Sequence, residues 1–165
     1  CAECLETTTH LGSCTEIAKV LNKLWKATSV ASRQTITLNL FAVQESKTPF
    51  PDGIVAFHLI VWKFILIHFT LVDTQDTPFD AEVVWKGAAR RLVSRVERLA
   101  QHIRIRRTTI VGRGGELNLE PENRKVKGLG SFAADGSFTW DPCLQNELEQ
   151  LGLIRVDRVT DAAPE

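Results

Sequence analysis

Two groups of side chains in this sequence have types and spacings that could do chemistry. One is Cys1, Cys4, His10 and Cys14; the other is a run of arginines between residues 86 and 127. The first group reads C-x2-C-x5-H-x3-C and holds three of the chain's four cysteines within fourteen residues. Zinc takes four thiolate or imidazole ligands in a tetrahedron, and a C-x2-C pair closes around one ion. The spacing therefore admits a Cys3His zinc site in which Cys14 projects from the first turn of a helix. The plainer alternative is a set of free thiols, or a disulfide formed in an oxidising compartment. Cys143 stands apart from the other three and reads as a packed side chain.

The arginine run is hidden by a net charge of zero. Residues 86–127 carry twelve Lys/Arg against four Asp/Glu, whereas residues 128–165 carry two against seven. Segregation of this kind concentrates an anionic partner, or it pairs one segment of the chain with another. Arg91, Arg95, Arg98 and His102 follow helical spacing beside an apolar stripe, and Arg90 flanks them. Arg104 and Arg106 alternate with Ile103 and Ile105, which reads as a strand with its arginines outward. Arg107 and Arg113 extend the patch, and Gly112, Gly114 and Gly115 around Arg113 would let backbone N–H groups approach an anion. Nine of the twelve cations are Arg, whose planar fork matches phosphate or carboxylate oxygens in two parallel hydrogen bonds. The expected partner is a nucleic acid, contacted through its phosphates, or an acidic protein surface. No aromatic residue lies between Lys86 and Lys127, so stacking on bases is not part of this expectation. Against it stands an internal explanation, in which the acidic C-terminal segment neutralises the same arginines.

Enzymatic signals are thin. The sequence has no nucleophile elbow, no H-E-x-x-H and no phosphate loop ending in G-K-[ST]. Gly128 to Ala133 matches G-x-G-x-x-A, yet an Asp-Gly turn follows where a helix would be needed. Asp73, Asp76 and Asp80 follow an apolar run and could hold Mg²⁺ for chemistry on a phosphate ester; Asp76 and Asp80 are also suited to the start of a helix. His58 and His68 share a strand face if the apolar run is one strand, but their neighbours mark them as core residues rather than an acid/base pair.

The elements that must position these groups suit one domain. A chain of 165 residues with 44% apolar and 24% charged content can bury a core of its own. No repeat or low-complexity linker divides it. The fold expected is α+β: an antiparallel or mixed sheet against two main helices and a short C-terminal helix, with an acidic tail over residues 153–165. Residues 1–30 have no secretory-signal pattern, which fits either a cytoplasmic or nuclear setting, the one favoured, or a mature form already cleaved.

The first helix is expected over 14–28, with Ser13 as cap, Glu16 completing a capping box, and Ile17, Val20, Leu21, Leu24 and Trp25 on one face. Residues 34–44 alternate as a strand. Residues 54–72 are almost wholly apolar and long enough to cross a membrane, but Lys63 near the centre would cost about 2.5–3.5 kcal/mol there. Their richness in Ile, Val, Thr and aromatic residues predicts buried strands, broken near Trp62 and Lys63 or bent as one. Membrane association through 54–72 is the rival. Thr77, Pro78 and Asp80 open a second helix with Trp85, Ala88, Leu92, Val96, Leu99 and Ile103 inward, unless Gly87 delays its start. Strands follow at 103–111 and 115–120. A tight Asp135-Gly136 hairpin comes next, then a helix capped by Asp141, begun at Pro142 and ended at Gly152.

Overall fold

The computed structural model describes residues 14–28, 53–75, 77–111 and 124–155. It has four helices and a small antiparallel sheet, an α+β arrangement. In chain order these are α1 (Thr15–Lys26), α2 (Gly53–Gln75), α3 (Ala81–Val111), β1 (Arg124–Val126), β2 (Gly130–Phe132), β3 (Phe138–Trp140) and α4 (Pro142–Gln150). The expected strands at 34–44 and 115–120 lie outside the described residues, as does Ser13.

α1 buries Ile17, Val20 and Leu24 at i, i+3 and i+7, each worth roughly 1.5–3 kcal/mol when fully withdrawn from water. Trp25, expected on that face, is 39% exposed. The N-cap residue is Cys14, which supplies no side-chain hydrogen bond, and Glu16 pairs with Lys19 at 2.6 Å rather than reaching back over the helix start.

The run expected to form strands is the helix α2. Its buried residues Ile54, Phe57, Val61 and Ile65 recur at helical intervals. A run of this length exceeds an ordinary strand and contains no turn residue to divide it, and those two facts outweigh the β-branched composition. α2 packs against α3 and α1. Its contact with α3 includes the Phe57–Trp85 ring pair, 5.6 Å between centroids, and a close approach of Phe64 to Gly87. Phe69 in its C-terminal part stacks at 4.9 Å on Phe79, which lies between α2 and α3.

α3 starts at Ala81, capped not by Thr77 but by Asp80, whose Oδ1 accepts from Glu82 N at 2.8 Å and Val83 N at 3.2 Å. Two backbone donors left over at the helix start are satisfied in this way. Gly87 does not delay the start. α3 also runs on through the segment expected to be a strand, to Val111. The Ile-Arg-Ile-Arg alternation spans four residues, too few to break a helix already nucleated and packed along Val84, Trp85, Ala88, Leu92 and Val96, because each added residue propagates at little cost. Leu99, expected inward, is 47% exposed, and Ile103 is only partly buried.

The three strands pair in the order β1-β2-β3, with Val126 opposite Gly130 and Phe132 opposite Phe138. The β2–β3 connection is a three-residue loop rather than a two-residue turn. Ala133 N donates to Ser137 O, and Gly136 N donates to Ala133 O, both at 2.9 Å. Gly136 sits at φ +82, the left-handed residue with which such a loop closes. Phe132 is buried, with Phe138 and Trp140 partly buried against the core. α4 has the expected Asp141 cap, accepting from Cys143 N at 3.1 Å. It ends in a Schellman pattern, with Leu153 N donating to Leu148 O and Gly152 N to Glu149 O.

Candidate functional site

α3 positions the arginines. Its apolar stripe is held by α1 and α2, so the outward azimuth of every other residue follows at about 100° per residue. Arg91, Arg95, Arg98, His102 and Arg106 fall within one sector of the helix, and all five are exposed. At 1.5 Å per residue this ridge is roughly 22 Å long. Arg106, expected on an outward strand face, instead prolongs the helical row.

Among the described residues, Arg91, Arg95 and Arg106 have no ion pair or hydrogen bond, and Arg98 makes only a 3.5 Å contact with Ser94 Oγ on its own helix. Two carboxylates at the start of α3 are committed elsewhere. Glu82 pairs with Lys23 of α1 at 2.9 Å, and Asp80 caps the helix. Glu97, the other carboxylate of α3, lies seven residues from Arg90 and shares its flank, away from the ridge. In the C-terminal segment, Glu147 Oε1 accepts from the buried Trp85 Nε1 at 2.8 Å, and Glu149 accepts from Gln145 Nε2.

The remaining arginines separate. Arg90 is exposed on the neighbouring flank of α3, about a quarter-turn from the row. Arg104 faces the β2–β3 loop, its side chain lying against Gly136. The Asp135 carboxyl there is held below the ordinary carboxylate range by the Ser137 hydroxyl and backbone N–H, with the Arg104 charge adding to the effect. Arg107 belongs to α3, but its side chain is outside the described residues, as is Arg113 entirely.

Of the proposed zinc ligands, Cys1, Cys4 and His10 lie outside the described residues, and Cys14 is a buried free cysteine at the start of α1. No three His, Cys, Asp or Glu side chains converge as a metal site among the described residues. Asp76 and the Asp73 side chain are likewise outside them. His58 and His68 lie ten residues apart on α2, about 15 Å along its axis, so they form no acid/base pair. His58 is bonded to Trp62 instead.

One feature was hidden by reading residues 54–72 as buried strands. The face of α2 turned away from α1 and α3 exposes Leu59 (61%), Leu66 (52%) and Ile67, with Lys63 among them. A helical projection of the same run would have found that face. We found no protein-family model, curated protein or solved structure that matches this chain.

Proposed function

We propose that this chain is a non-enzymatic module that contacts nucleic-acid phosphates through the α3 ridge. The observation that carries the reading is the row Arg91, Arg95, Arg98 and Arg106, exposed at one azimuth and without an ion pair among the described residues, while Glu82 and Glu147 are bonded to other partners. Guanidinium groups bind phosphate oxygens bidentately. If the four arginines displace counterions from four phosphates of a duplex, log K falls with log salt at a slope of about −3.6, an affinity loss of roughly 150-fold between 50 and 200 mM. The variant Arg91→Glu/Arg95→Glu/Arg98→Glu should abolish that binding with its circular dichroism unchanged. Undiminished binding by the variant would sink the proposal.

A second reading rests on α2. Gly53–Val72 is long and apolar enough to cross a membrane, and 33% of that stretch is buried. Spanning would require α2 to leave α3, exposing Val84, Trp85, Ala88 and Leu92, so association through the outward face is the version that keeps the core intact. The salt titration, run without detergent, separates the two readings. Monodisperse protein that ignores added lipid vesicles removes the second.

A further inference from the structure

Taking the ridge as a phosphate-binding surface, we infer that its ligand is a double-stranded nucleic acid rather than a single strand. The inference rests on the shape of the array. Arg91, Arg95, Arg98, His102 and Arg106 succeed one another by three or four residues, so their Cα atoms rise by roughly 4.5–6 Å from one to the next along a straight axis. The helix that carries them is fixed by Val84, Trp85, Ala88, Leu92 and Val96 against its neighbours. A line of guanidinium groups on a straight helix is complementary to phosphates already held in fixed positions. A duplex presents such phosphates without rearrangement, and although each strand winds about the axis, a straight ridge of roughly 22 Å lies along part of a turn and meets a few of them.

A single strand would have to be straightened onto the same line, and what repays that ordering elsewhere is base stacking on aromatic side chains. The ridge offers none. Trp85, the one aromatic residue of α3, is fully buried and donates to Glu147. Phe132 and Phe138 meet at a tilt with centroids 4.6 Å apart, Phe138 and Trp140 meet edge to face at 4.7 Å, and all three pack against the core.

The test compares 20-base-pair DNA and RNA duplexes with their component single strands, identically labelled, by fluorescence anisotropy against the intact chain at 50 mM salt. Duplexes bound at least tenfold more tightly than either strand, with the preference lost in Arg91→Gln/Arg95→Gln/Arg98→Gln, support the inference. Single strands bound as tightly or more tightly overturn it while leaving phosphate binding standing. Binding to neither form overturns both.

Discussion

At the scale of single residues, His58 is the group most sensitive to its surroundings. It is 4% exposed, and its Nε2 accepts a hydrogen from Trp62 Nε1 at 2.8 Å. That bond places the proton of the neutral ring on Nδ1. Protonating Nε2 would set two donors against each other and charge a ring in an apolar site, and this desolvation holds the His58 pKa below its ordinary value. Above about pH 6.5 the ring is neutral in both folded and unfolded chains. Below it, the unfolded chain takes up the proton first, so stability is lost as pH falls toward the depressed native pKa. His58→Gln keeps an acceptor for Trp62 and does not titrate. Urea midpoints at pH 7.5, 6.5 and 5.5 should fall in the parent protein and stay nearly level in the variant. An equal decline in both would assign the effect to other groups.

At the scale of elements, the α2–α3 contact depends on Gly87. A Cβ added there would lie 2.7 Å from Phe64 Cε1 and 2.9 Å from Cδ1. Alanine gains about 1 kcal/mol of helix propensity over glycine, and overpacking costs about 1–3 kcal/mol. Gly87→Ala should therefore be neutral to destabilising, by up to about 2 kcal/mol from these two terms. In a Phe64→Leu background, where the ring is gone, the same substitution should stabilise. A double-mutant cycle by chemical denaturation reads the reversal, and additive effects would show that the two residues do not press on each other.

The same elements show what the sequence could and could not disclose. The hairpin and α4 were legible because their signals are local: Asp135-Gly136, the Asp141-Pro142 start and the Gly152 end each act within a few residues. α2 was not, because Ile, Val and Phe favour strands only when the surroundings supply strand partners, and here α3 supplies a helical groove. The end of α3 was misread for a related reason. Ile103 and Ile105 have no sheet to join among the described residues, so their alternation carried no structural meaning. Part of the ridge was legible, since Arg91, Arg95, Arg98 and His102 needed only the helical period. Arg106 joined it, and Arg104 left it for the hairpin, once the helix replaced the strand.

At the scale of the molecule, the described charges pair locally, Lys23 of α1 with Glu82 of α3 and Arg104 beside Asp135, while Arg91, Arg95, Arg98 and Arg106 have no ion pair among the described residues. The ridge belongs to α3, while Glu147 and Glu149 serve α4 and its docking. The electrostatic behaviour of the protein near the ridge is set by the local charge rather than by the neutral total. If the ridge binds phosphates as proposed, loss of affinity with salt and indifference of folding to the same salt are expected together, because its arginines lie outside the core.

The bond from Trp85 to Glu147 has a further consequence, in the order of events when the chain folds. It joins residues 62 apart, whereas α2 and α3 are neighbours in sequence and can meet by closing a short turn. Loop-closure entropy favours the nearer pairing first, so α4 should dock onto an existing helical pair. Glu147→Ala would leave the folding rate nearly unchanged and raise the unfolding rate, a division visible in the two arms of a denaturant chevron. An equal fall in the folding rate would place α4 in the nucleus instead.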